Sequence, residues 1–330
     1  MTLSYTRYKV KVNGELSHSF DVRNGLRQGD VISTLLFNLC LEKIMRKIDV
    51  NPGGTILNRR VHYLAYADDI NLISRNKRLL TEAYLQLEKE ATQMGLKINT
   101  EKTKYMVNSR SADTMAREGN LLVGDHVFER VRDFKYLGSM VTETNKCSEE
   151  IKSRIAAGNR SYYSCLHMLK SRLLSRKSKE QIYKTLIKPV VMYSSETWTM
   201  TKRDEQLLAV WERKILRKIY GPVKEESDWR IRNNLELQQL FKGTDIVTDI
   251  KQRRLRWAGH VERMEENRNC KKVFRGKPEG RRKTGRPRKR WIDGLEEDLK
   301  EMGVRGWRRK AMDRDEWKEI VGKAKVLQGL

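Results

Sequence analysis

Cysteine is scarce and scattered. The four residues at 40, 147, 165 and 270 form no CxxC pair, which excludes a disulfide framework and points to a reducing compartment. A zinc site finds no support either: His260 and Cys270 lack two further ligands at suitable spacing. No stretch approaches the roughly 20 apolar residues of a membrane span, and no signal-peptide pattern opens the chain, because Met1 to Val12 alternates polar and apolar residues. Acid is in deficit: 43 aspartates and glutamates face 69 lysines and arginines, a formal net charge of +26. A field of that sign attracts polyanions, with nucleic acid the default partner. What is present is an ordinary hydrophobic share, 38% of 330 residues, enough for a core and for about two domains.

Turn residues and hydrophobic periodicity divide the chain. Tyr8, Val10 and Val12 alternate with lysines, Asn13-Gly14 makes a tight turn, and Leu16 to Val22 returns, which reads as a β-hairpin. A Gly-bracketed polar loop follows at Gly25 to Asp30, then a helix with Leu35, Leu36, Leu39, Ile44 and Ile48 at helical spacing. Residues 61–73 read as a second hairpin with its turn at Ala67-Asp68-Asp69. Leu79 to Gly95 reads as a helix stopped by glycine, Leu96 to Asn99 as a strand. Leu121 to Val131 gives short strands about Gly124-Asp125, and Phe134 to Val141 one more. The expected fold class is α+β. From about Glu149 to Tyr220 the pattern is helical, interrupted at Pro189. Residues 223–269 read as further, basic helices, 271–290 as a low-complexity basic linker, and 291–328 as a helical tail.

Tyr66-Ala67-Asp68-Asp69 carries the sharpest chemical signal. Two adjacent carboxylates at a hairpin turn, with apolar strands beneath, suit a divalent metal, since Mg²⁺ takes one or two carboxylates plus substrate phosphates. An ordinary solvated turn would use the same residues. The surroundings add weight. Asn24-Gly25-Leu26-Arg27-Gln28-Gly29-Asp30, with Ser33 and Leu36-Phe37-Asn38, resembles motif B of reverse transcriptases. Tyr66 to Asp69 resembles motif C. Gly95 to Asn99 with Lys102-Thr103 resembles motif D, and Phe134 to Gly138 resembles motif E, the primer grip. Four motifs in the family's order identify the chain as similar to non-LTR (LINE-type) retrotransposon reverse transcriptases.

That resemblance implies a partial palm (a mixed sheet with packed helices) at 1–145, a helical thumb at 146–222, a basic helical region at 223–270, the linker at 271–290 and a helical tail at 291–330. It implies Asp68 and Asp69 as ligands of Mg²⁺ (or Mn²⁺), Lys102 as an aid to pyrophosphate departure, and Tyr66 beside the primer terminus. Arg27, Gln28 and Gly29 would meet nucleotide and template, Leu137 and Gly138 the primer. Expected partners are an RNA template, a DNA primer or target and a dNTP, with no membrane, in nucleus or cytoplasm. Motif A, whose aspartate binds both metals in the family, should precede motif B by several tens of residues. Neither Glu15 nor Asp21 sits in anything resembling it, so the expectation is a polymerase fragment inactive alone, with a non-catalytic nucleic-acid-binding protein as the alternative. Ile32-Ser33-Thr34 also departs from the family's leucine-serine-proline.

The linker holds Lys271, Lys272, Arg275, Lys277, Arg281, Arg282, Lys283, Arg286, Arg288, Lys289 and Arg290 against a single acid, Glu279. Such a run binds phosphates with steep salt dependence. Gly285-Arg286-Pro287 resembles an AT-hook core, and a nuclear-localisation signal fits equally. Arg254 to Val261 and Gly285 to Trp291 resemble C-terminal segments of LINE-type elements. Trp257 and Trp291 could stack on bases, whereas Trp211 and Trp317 sit in helical patterns and are expected in a core.

Overall fold

The computed structural model describes residues 6–22, 29, 31–48, 61–109, 112–226, 228–276 and 289–324. They fall into two compact units, 1–103 with 122–127 and 104–121 with 128–330. The first division therefore falls at 103/104. The hairpin at 133–142 groups with the helices that follow it, not with residues 1–103.

In the first unit, β1 (Thr6–Tyr8) pairs with β4 (Phe20–Val22), and β2 (Lys11–Val12) with β3 (Glu15–Leu16). Asn13 and Gly14, both at positive φ (+50° and +93°), make the turn that an Asn-Gly pair favours. Helix α1 (Val31–Lys47) precedes the hairpin of β5 (Val61–Tyr66) and β6 (Asp69–Ser74), paired antiparallel from Val61↔Ser74 to Tyr66↔Asp69. Helix α2 (Lys77–Gln93) starts where the Asn76 side chain accepts the Arg78 N–H at 2.9 Å. It stops at Gly95 (φ +74°) in a Schellman turn: Leu96 N–H donates to Ala91 O and Gly95 N–H to Thr92 O. Ile44, Ile48, Leu87 and Ala91 form a small core that takes Tyr63, Ile70 and Leu72 from one face of the hairpin. Leu96 and Ile98 pack there too, but without strand pairing. The expected strand at 96–99 is absent because its alternation serves burial alone, and the Leu96 N–H is spent on the helix end.

The second unit begins with α3 (Ala112–Arg117). The hairpin of β7 (Leu121–Val123) and β8 (His126–Phe128) straddles the division, and β9 (Asp133–Tyr136) and β10 (Ser139–Thr142) form the next. Helices α4 (Cys147–Ser164), α5 (Leu166–Lys170) and α6 (Arg176–Ile182) follow. A π-helical turn at Tyr183–Ile187 leads into the short α7 (Lys188–Val191), which holds Pro189, as the sequence signalled. Helix α8 (Lys202–Tyr220) opens on a Thr201/Asp204 capping box. A hairpin of β11 (Val223–Glu225) and β12 (Asp228–Arg230) stands where helix was expected. Then come α9 (Asn234–Leu240), α10 (Ile246–Glu262), α11 (Asn269–Arg275), α12 (Trp291–Glu301), α13 (Trp307–Met312) and α14 (Arg314–Lys323).

Among the described residues every sheet is two-stranded and antiparallel, and one isolated parallel bridge joins Tyr105 and Arg130. The mixed sheet implied by the resemblance is not assembled from them, because each strand pairs with one other and no third strand joins an edge. Among the described residues of the second unit, two hydrophobic cores stand out. One gathers Leu208, Trp211 and Ile215 of α8 with Tyr183, Ile187 and Trp198; the other gathers Leu295, Leu299, Trp307 and Trp317. Helix α10 serves both, with Ile246 and Ile250 in the first and Leu255 and Ala258 in the second. Two glycines are fixed by close approach: a Cβ at Gly158 would meet Val191 Cγ2 at 2.3 Å, and one at Gly259 would meet Trp317 Nε1 at 2.1 Å. Glycine is needed where a neighbouring side chain leaves no room for a methyl. No helix among the described residues is long and apolar enough to cross a membrane.

Candidate active site

The β5–β6 hairpin places the acidic pair. Tyr63, Leu72 and Ile70 seat one face of the hairpin on the small core, and Leu64, Tyr66 and Ile73 stand on the other face, exposed. Burial pushes the Tyr63 phenol up to about 12, and its hydroxyl meets no hydrogen-bond partner among the described residues. At the tip, Ala67 adopts a positive φ of +52°, a strained choice for a residue with a Cβ. The reversal projects Asp68 and Asp69 from adjacent positions of a two-residue turn and strand start. Both residues are exposed, and neither carboxylate has a hydrogen-bond or ion-pair partner among the described residues. Two uncompensated acids side by side repel each other, and a cation relieves that repulsion. They match the one or two carboxylates that Mg²⁺ takes from protein. No cluster of three or more potential ligands occurs among the described residues, so the remaining ligands would be phosphate, water or further protein groups.

The other expected site residues are distributed as follows. Tyr66 lies opposite Asp69 in the hairpin and is 66% exposed. Lys102 is exposed in the turn after α2, its backbone N–H held by Asn99 Oδ1 at 3.0 Å, its ammonium without a partner among the described residues. Gly29 is exposed with φ +93°, just before α1. Arg27 and Gln28 lie outside the described residues. So do Arg281, Arg282, Lys283, Arg286 and Arg288. Lys289 pairs with Glu297, and the Arg290 backbone N–H donates to Asp293 Oδ2 at 2.9 Å. Of the expected linker's last two cations, the Lys289 ammonium is therefore tied to α12, whereas Arg290 is held there through its backbone.

In the second unit, Leu137 and Gly138 form the β9–β10 turn at φ +46° and +84°. Its surroundings were not foreseen. The Tyr193 hydroxyl donates to Leu137 O at 2.9 Å, and Arg154 donates to Gly138 O. Arg154 also pairs with Glu150 at 2.7 Å and lies 4.5 Å from the Tyr193 ring centre, while Glu150 accepts the Met140 N–H. The turn is thus clamped through both carbonyls. Arg154 and Tyr193 stand 16 and 56 residues from their partners, so no local spacing announces them.

The chain is similar in sequence to known proteins. Residues 2–141 match the family described as reverse transcriptase (RNA-dependent DNA polymerase). A transposon-derived protein of Caenorhabditis elegans is 25% identical over 269 residues, 80% of this chain and 96% of that protein. The Pol polyprotein of the type-1 retrotransposable element R2 of Popillia japonica is 29% identical over 145 residues, 42% of this chain and 20% of the polyprotein. That of the type-2 element R2DM of Drosophila melanogaster is 26% identical over 141 residues, 41% of this chain and 13% of the polyprotein. The chain thus spans nearly all of the first relative and a fifth or less of these two polyproteins.

Proposed function

We propose that this chain, a relative of non-LTR retrotransposon reverse transcriptases whose residues 2–141 carry that family's domain, is the palm-to-C-terminal portion of an RNA-directed DNA polymerase. The observation that supports this best is the hairpin tip, two adjacent exposed carboxylates raised on an apolar stalk with no protein partner among the described residues. In this reading Asp68 and Asp69 hold Mg²⁺ (or Mn²⁺), which when bound offsets charge on the attacking and leaving oxygens. Tyr66 packs beside the primer terminus, and the clamped turn at Leu137-Gly138 seats the primer strand. Arg27 pairs with phosphate, Gln28 and Gly29 lie against nucleotide and template, and Lys102 offers a proton or charge to departing pyrophosphate. The ligands are an RNA template, a DNA primer and a dNTP.

Two carboxylates are too few to hold two ions in line, and the family's motif A aspartate is not found in these 330 residues. Primer extension tests both points. The expected outcome is no incorporation by this polypeptide alone, and incorporation once a segment carrying motif A is supplied by fusion, lost again in Asp68→Ala. Incorporation by the polypeptide alone would remove the need for motif A. A fused protein that stays inert would remove the polymerase reading.

A second reading, a non-catalytic nucleic-acid-binding protein derived from a retroelement, is supported by one observation. The transposon-derived relative is matched along 96% of its length and 80% of this chain, so the likeness there is not confined to a small part of a polyprotein. Binding that weakens steeply with salt but needs neither carboxylate would favour it.

A further inference from the structure

Helix α10 turns two stripes in different directions. Leu255, Ala258, Gly259 and Glu262 are buried. Arg253, Arg256, Trp257 and His260, at intervals of three, four and seven, line up on another side. That second stripe borders two depressions of about 240 and 330 Å³ which share Arg253 and Arg256. Each far exceeds the ~30 Å³ share of one water molecule. Lys184, Lys188, Phe241 and Asp249 border the first, and Glu196, Trp257 and His260 the second.

The charges here divide: the lysines are spent on the fold, Lys184 meeting Glu180 at 3.5 Å, and the two arginines are left without a carboxylate among the described residues. Lys188 is matched by Asp249 at 2.5 Å and Glu212 at 3.5 Å. Arg254, one residue from Arg253, is buried and paired with Asp298. Arg253 instead donates to the Met192 carbonyl at 3.0 Å and meets no carboxylate among the described residues. Arg256 is exposed and has no partner among them. Beside these arginines, Trp257 and His260 set their rings 5.5 Å apart, and the indole N–H has no acceptor among the described residues.

We propose that this groove binds a single nucleic-acid strand, with Arg253 and Arg256 on backbone phosphate and an unpaired base stacked on the Trp257–His260 shelf. A guanidinium fork matches phosphate geometry, and aromatic shelves hold bases regardless of sequence. An acidic peptide would use the arginines but leave the shelf idle. The inference rests on nucleic acid being the ligand class of this chain. It does not depend on the chemistry of Asp68 and Asp69.

Fluorescence anisotropy of the full chain with labelled oligo-uridine, oligo-thymidine and a duplex, over a salt series, tests it. Arg256→Ala, at an exposed position, is expected to lower the log–log salt slope by about one. Trp257→Ala is expected to weaken single-strand binding by about fivefold or more, with Trp257→Phe restoring most of it and duplex binding unmoved. Wild-type-like binding by both alanine variants, with loss only when Arg286, Arg288, Lys289 and Arg290 become alanine, would overturn the groove while leaving nucleic acid as ligand. A wild-type chain that binds no oligonucleotide would overturn the ligand class as well. Displacement of oligo-uridine by poly-glutamate, unaffected by Trp257→Ala, would assign the groove to acidic protein.

Discussion

The first unit holds its hairpin and two helices on a core of four buried side chains, Ile44, Ile48, Leu87 and Ala91, with partly buried neighbours around it. On α1 alone, Val31, Leu35 and Leu39 stand at four-residue intervals with more than half of each exposed. The second unit closes over indole rings and buries charges with their partners, Arg254 with Asp298 and Lys188 with Glu212. Both units obey the same rule of burying one face of each element. They differ in how many faces find a cover. Apolar patches left open on this scale commonly mark surfaces that other molecules use.

Removing a carboxylate from the second unit should have the largest effect. Asp298→Ala removes the one carboxylate paired with buried Arg254 among the described residues and leaves Lys251 with Glu205 alone, at 3.9 Å; it is expected to cost about 3–5 kcal/mol, read as a lowered thermal transition of that unit alone. A loss below about 1 kcal/mol would mean that water already reaches the pair. Leu87→Ala in the first unit, 5% exposed, should cost about 2–4 kcal/mol and move the other transition. Movement of both together would show that the units melt as one. Leu35→Gln with Leu39→Gln should stay within about 0.5 kcal/mol, since both side chains are already in water. A clear loss in denaturant titration would reveal a cover over α1. The smallest effect is a titration. Arg230 donates to both Glu236 oxygens and holds that carboxyl down to about 2. A depressed carboxylate contributes fully above the ordinary carboxylate range and loses its contribution as pH falls through the depressed value. The Glu236 resonance should therefore turn over near 2, and Arg230→Gln should raise it only part of the way to the ordinary carboxylate range, because the Asn233 N–H and Arg232 still favour the charged form.

Much of the fold was legible because it is written locally. Asn13-Gly14, Gly95 and Gly124-Asp125 mark turns that exist, and Trp211 and Trp317 are buried as their helical spacing required. The errors share a cause. Leu96 and Ile98 alternate like a strand, but alternation reports a buried face and not a partner. Residues 223–230 were grouped with helices on charge and position, whereas a turn at Glu226, with φ +47°, closes a hairpin there. The acidic tip was legible as contiguous sequence. The Arg154–Tyr193 clamp on Leu137 and Gly138 was not, since its parts meet only after α4 and the residues beyond α7 have packed. The α10 stripe lies between. Its period was visible, but the contrast between paired Arg254 and unpaired Arg256 required coordinates.

The β5–β6 hairpin is a lever clamped from one side. Tyr63, Ile70 and Leu72 fix its inner face, while Leu64 and Ile73 leave the outer one wet. Any layer laid across that outer face gains apolar contact and at the same stroke narrows the angles through which Asp68 and Asp69 can swing. Ordering of the acids and adhesion of such a layer are then one linked equilibrium, so whatever strengthens either strengthens both.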